Sequence, residues 1–155
     1  MREPPVETLE FEIAPGRFEL EITEANLLRN TELTRGVFDD IARLGIKLTI
    51  DEFGSGVSSL KNLHQLPVSN LKIHKPYVDL LNTDTISDMM ARTIIGMGHL
   101  MNMGVIGEGV ETPDQRDFLR QNGCDQAQGN YFSQPISLHA FEQLLADTQM
   151  GARRH

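Results

Sequence analysis

Two hydrophobic periods alternate along this chain, and that alternation limits the fold more than any other feature. Phe18-Glu19-Leu20-Glu21-Ile22 alternates apolar and polar residues, as a half-buried strand does. Leu33, Val37, Ile41 and Leu44 then recur at helical spacing between Thr31 and Leu44, and Gly45 supplies a stop. Ile46 to Ile50 predicts a second strand running into Asp51. Ser58 to Leu66 reads as a short helix stopped by Pro67. Leu71 to Ile73 is a third strand, and Thr85 to Met103 a long helix with Gly104 as its cap. Val105 to Gly107, a helix over Pro113 to Gln121, Asp125 to Ala127 and a last helix over Ser137 to Leu145 complete the series. Strands alternating with helices build a parallel sheet with helices outside, either doubly wound or of the (β/α)8 barrel type. No Gly-x-Gly-x-x-Gly follows the first strand, which weakens a dinucleotide-binding reading. Five units are too few to close an eight-stranded barrel, which takes about 200–250 residues.

Composition narrows the function. The 155 residues suffice for one domain with a real core. With 22 acidic and 14 basic residues the formal charge is −8, which disfavours DNA and acidic membrane as partners. An anionic ligand would need a bound cation to hold it. A lone Cys124 leaves no disulfide framework and no thiolate zinc cluster, and fits a reducing cytoplasm. No apolar run approaches the ~18 residues of a membrane span, and the opening MREPPVETLE lacks the apolar core of a signal peptide. Residues 1–17, with Pro4, Pro5 and Pro15, read as a poorly ordered lead-in, 18–147 as the folded domain and 148–155 as a tail.

The polar residues fall where a site is built in α/β folds, at the carboxyl ends of the strands. Glu21 lies at or near the end of the first. Asp51 and Glu52 follow the second, Lys72 lies on the third, Glu108 and Glu111 follow the fourth, and Gln128 follows the fifth. One acid after a strand is ordinarily a helix cap or a solvated loop residue. Several on one rim would repel unless a cation holds them. Carboxylates without a cysteine cluster point to Mg²⁺ or Mn²⁺, not zinc. A lysine among them can position or deprotonate a water, or stabilise an oxyanion. Together these suggest two-metal phosphoryl hydrolysis.

These residues resemble a known family. Glu21-Ile22-Thr23-Glu24, Asp51-Glu52-Phe53-Gly54-Ser55-Gly56, Leu71-Lys72-Ile73, Glu108-Gly109-Val110-Glu111-Thr112 and Gly123 to Gly129 are similar to the ordered motifs of the EAL domain, the bacterial phosphodiesterase that linearises cyclic di-GMP. The similarity runs from about Phe18 to Leu145. It implies a partial TIM-like barrel of about five β/α units, with the site on the C-terminal rim. By the same resemblance Glu21 is a metal ligand, Asp51 bridges two metals and Glu52 stands where a second Asp binds one. Lys72 contacts the attacking water, and Glu108 ligates metal or acts as general base. Glu111 and Gln128 complete the site around the ligand. Glu24 braces the loop from Phe53 to Ser59, whose Gly54, Ser55 and Gly56 lie in a segment that orders the metals and carries a dimer contact.

The implied function is hydrolysis of cyclic di-GMP to linear pGpG with two Mg²⁺ or Mn²⁺ ions. The implied setting is the bacterial cytoplasm, in a parent that can carry an upstream sensor or cyclase domain and a membrane anchor. Departures qualify it. The chain begins after the family's Glu-Ala-Leu segment, its Asn ligand and its substrate-gripping Arg, so these 155 residues are expected to lack useful catalysis. Glu52 adds a methylene to an Asp ligand position, His74 replaces an Asp after the lysine, and Val57 replaces an aromatic. The competing expectation is a degenerate EAL module that binds cyclic di-GMP or a protein without cutting. An unclosed barrel also leaves sheet edges open, which predicts a homodimer, a swapped assembly or poor solubility.

Overall fold

A computed structural model of the chain describes residues 14–27, 32–56, 63 and 66–152. Five parallel strands form one sheet in sequence order: β1 (Glu19–Thr23), β2 (Lys47–Phe53), β3 (Asn70–Ile73), β4 (Gly104–Glu108) and β5 (Gln126–Gln128). The helices are α1 (Glu24–Leu27), α2 (Glu32–Arg43), α3 (Lys75–Asp79), α4 (Thr85–Leu100), α5 (Pro113–Gln121) and α6 (Leu138–Ala152), and Pro15–Arg17 form a 3₁₀ turn. The expected α/β architecture is observed. All four strand pairings are parallel, and β1 and β5 stand at the two edges of the sheet.

The core lies between the sheet and the helices. Ile50, Leu71, Ile73 and Val105 are fully buried, as parallel strands covered by helices require. Ala91, Ile94 and Ile95 of α4 and Phe118 and Leu119 of α5 join them in one buried apolar cluster, with Phe38 of α2. Each fully buried side chain of this kind contributes about 1.5–3 kcal/mol.

Several boundaries move from their expected places. β2 runs on to Phe53, so Asp51 and Glu52 lie within the strand rather than after it. The long helix ends at Leu100, and Gly104 opens β4 instead of capping α4. The cap is a Schellman turn with Asn102 in the left-handed region at φ 58°. The Met103 N–H bonds to the Gly98 carbonyl at 2.9 Å and the Asn102 N–H to the His99 carbonyl at 3.0 Å. Asparagine supplies the conformation expected of glycine. α1 and α3 are short helices with no sequence expectation, and α6 extends past Leu145. Of the helix expected over Ser58 to Leu66, residues 58–62 and 64–65 lie outside the described residues, as does Val57; Leu63 is helical and buried.

Candidate active site

Lys72 organises the rim. The residue is 3% exposed, and its ammonium lies 3.0 Å from Glu21 Oε2, 3.3 Å from Glu108 Oε2 and 3.7 Å from Asp51 Oδ1. Strand geometry explains this convergence. β1, β2, β3 and β4 are neighbours, and each contributes one inward side chain near its carboxyl end. Burial alone would lower the Lys72 pKa. The hydrogen bond to Glu21 and the charges of Glu108 and Asp51 outweigh it, and the net shift is upward from 10.5. The ammonium form is thereby favoured, which suits the positioning and oxyanion-stabilising roles expected of this lysine.

A β-bulge shapes the acidic pair. Ile50 is opposite Leu71 and Phe53 is opposite Ile73, so Asp51 and Glu52 together face the single Lys72. The extra residue turns Phe53 back into the core, where it is 4% exposed. Glu52 takes the strain at φ 55°. Its side chain is exposed, and among the described residues Lys72 pairs with Glu21, Asp51 and Glu108 and not with Glu52. Asp51 instead accepts the Glu52 N–H at 2.8 Å, which fixes the corner.

The loop after β2 is held from below. Glu24 is 1% exposed, and its Oε2 accepts the Gly54 N–H at 2.8 Å. The Tyr77 hydroxyl donates to the Gly54 carbonyl at 3.0 Å. Both peptide groups of Gly54 are thus clasped, and its φ of +96° suits glycine. Ser55 and Gly56 are exposed at the turn, where the Ser55 N–H bonds to the Glu52 carbonyl. Tyr77 lies on α3, and no sequence signal marked it.

Glu111 and Gln128 also stand apart from the lysine cluster. Glu111 pairs with Lys75 at 3.6 Å, not with Lys72, because α3 brings Lys75 beneath the loop after β4. Gln128 is opposite Glu108 in the β4–β5 register. It lines a cavity of about 490 Å³ with Phe132, Gln134, Ile136, Phe141 and Leu144. His74 sits at the N-terminus of α3 and meets Tyr77 edge-on, ring centres 6.0 Å apart.

Glu21, Asp51 and Glu108 are hard oxygen donors of the kind that holds Mg²⁺ or Mn²⁺. Their chemistry fits such an ion, while among the described residues no group of three Asp, Glu, His or Cys is arranged as a complete metal cage. The residues supply part of a donor set whose charge Lys72 balances.

One polar layer was not anticipated. Glu19, Thr49 and Asn70 lie two residues before Glu21, Asp51 and Lys72. Asn70 Nδ2 donates to Glu19 Oε1 at 2.8 Å and to Thr49 Oγ1 at 3.2 Å, and the Thr49 hydroxyl donates to Glu19. Its only sequence signal is the two-residue period of each strand.

The profile of the EAL domain matches residues 6–135. The chain belongs to the EAL domain family. It is 39% identical over 127 residues to the cyclic di-GMP phosphodiesterase NbdA of Pseudomonas aeruginosa, covering 82% of this chain and 16% of NbdA. Among solved structures it superposes on the PaMucR phosphodiesterase in complex with c-di-GMP at a TM-score of 0.79 and 32% identity, covering 85% of this chain and 52% of that one. It also superposes on Klebsiella pneumoniae BlrP1 in a manganese and cyclic di-GMP complex at a TM-score of 0.74 and 26% identity, covering 80% of this chain and 32% of that one. BlrP1 is thus known with manganese and cyclic di-GMP bound. This chain spans about a sixth of NbdA and about half of the solved MucR chain.

Proposed function

We propose that this EAL chain carries part of the active site of a divalent-metal phosphodiesterase that hydrolyses cyclic di-GMP to linear pGpG. The observation that carries the reading is the convergence of Glu21, Asp51 and Glu108 on the buried Lys72 at the carboxyl ends of four adjacent strands. When bound, Mg²⁺ or Mn²⁺ supplies Lewis-acid polarisation of the phosphate and lowers the pKa of a bound water. Glu21, Asp51 and Glu108 would supply oxygen donors to such an ion. Lys72 stays protonated and orients a water or a phosphate oxygen. The wall around Gln128, with Phe132 and Phe141, offers apolar surface to a base of the ligand.

The test places the 155 residues behind the N-terminal part of a related EAL domain that lies outside the match. Cyclic di-GMP turnover with Mn²⁺ is then followed by chromatography. Turnover that Lys72→Met and Asp51→Asn abolish is the expected result. A folded chimera that binds Mn²⁺ without turnover would sink the reading.

A second reading has its own support. The Glu52 side chain is exposed on the bulge and makes no ion pair with Lys72, and the described acids form no complete cage. A module of this kind binds cyclic di-GMP without cutting it. Calorimetry in Ca²⁺ separates the two: tight binding by the same folded chimera without hydrolysis favours the receptor. Among the described residues β1 and β5 are the edge strands of the sheet, which supports a homodimer or swapped assembly.

A further inference from the structure

We infer that Glu19, Thr49 and Asn70 form a positioning triad that holds Glu21, Asp51 and Lys72 at their observed separations. Barrel interiors are ordinarily filled with branched apolar side chains. Here the layer beneath the lysine cluster is polar, although Thr49 is fully buried and Asn70 is 7% exposed. Buried Thr49 and Asn70 need partners, and they find them in each other and in the exposed Glu19. Glu19 Oε1 collects two donors, one from each of the next two strands.

The layer repeats the arrangement of the site one step lower. Glu21 faces Thr49 and Thr23 faces Asp51, so the stagger between β1 and β2 is the same in both layers. Thr49 faces Asn70, and Lys72 is two residues further along β3. Any strand that slipped by two residues would carry its site residue about 6.6 Å along the sheet. The same slip would break the bonds of the triad. The fourth strand accommodates the layer. Gly104 is opposite Asn70, and a Cβ there would stand 2.5 Å from Asn70 Oδ1, so any other residue would push the Asn70 amide aside. The three bonds span 21, 30 and 51 residues of sequence, so they tie together strands with no local connection.

The triad acts on the ion-pair cluster, and its test reads Lys72 without substrate. A failure of the phosphodiesterase reading would therefore leave it standing. The full chain is acetylated with acetic anhydride at one pH. Labelling of Lys72 is measured by mass spectrometry against a lysine-containing reference peptide in the same tube, and the urea midpoint records folding. Glu19→Ala should raise the ratio of Lys72 to reference labelling about tenfold, a factor equivalent to ~1.4 kcal/mol. Glu19→Gln keeps an oxygen that accepts both bonds and should leave the ratio unchanged. Thr49→Val removes the donor to Glu19 and the acceptor of the Asn70 amide with little change of shape and should raise the ratio in the same direction. The inference is overturned if Glu19→Gln raises the ratio as much as Glu19→Ala, since charge alone would then be acting. It is also overturned if the urea midpoint falls while the ratio stays constant. Should Glu19→Ala not fold, the Thr49→Val and Glu19→Gln ratios decide.

Discussion

Replacing Lys72 with methionine removes one cation from among three carboxylates, and the structure sets the scale of the loss. Unit charges 4 Å apart attract by about 4 kcal/mol at an effective dielectric of ~20. The three contacts here are 3.0, 3.3 and 3.7 Å. They cannot simply be summed. The side chain of Glu21 is 46% exposed, that of Glu108 32% and that of Asp51 23%, so water screens each pair. Lys72 also loses hydration on burial, and methionine of similar length restores apolar packing. Breaking a fully buried pair costs about 3–5 kcal/mol; with this much solvent at the acids we expect about 2–3 kcal/mol for Lys72→Met. That corresponds to a fall in melting temperature of roughly 5–10 °C for a domain of this size.

The assay is urea unfolding of the full chain in EDTA, followed by circular dichroism at neutral pH, with a Lys72→Met/Glu21→Gln double mutant. Glu21→Gln should destabilise the parent. In the Lys72→Met background it should be neutral or stabilising, because it relieves repulsion between like charges. The pH dependence follows from the raised pKa. The folded ammonium holds its proton more tightly than the unfolded one. Its contribution is therefore complete below about 10.5 and fades as pH rises through the higher folded value. Lys72→Met should lack this alkaline loss. A variant within about 0.5 kcal/mol of the parent, or strictly additive mutations, would refute the electrostatic account.

Two further outcomes are specific. Gly54→Ala should cost about 1–3 kcal/mol in urea unfolding, because φ is +96° and the new Cβ would lie 3.1 Å from Tyr77 and 3.2 Å from Ile94. Cys124 should react with iodoacetamide roughly two orders of magnitude more slowly than free cysteine at pH 8, and its rate should climb about tenfold per pH unit toward pH 11. Burial pushes that thiol up to about 11; a rate close to that of free cysteine would contradict it.

Much of the rim was legible in the sequence. Glu21, Asp51, Lys72 and Glu108 sit at strand ends whose two-residue period and flanking helices are local properties, and parallel pairing of such strands carries their ends to one rim. The separation of Glu52 from Asp51 was not legible. A bulge exists only relative to a partner strand, and nothing within residues 47–53 states that Ile50 and Phe53 face Leu71 and Ile73. The pairing of Glu111 with Lys75 likewise depended on the short helix α3, whose placement is set by packing.

The sequence by itself determined the α/β class, the order of the five strands and the placement of acids and a lysine near their ends, because periodicity and side-chain chemistry are carried residue by residue. Only the tertiary structure decided which acid meets the lysine, that the lysine is held as a cation, and that Glu19, Thr49 and Asn70 share one hydrogen-bonded layer. Those facts depend on contacts across 21 to 51 residues of chain, where register and burial, not local preference, set the distances.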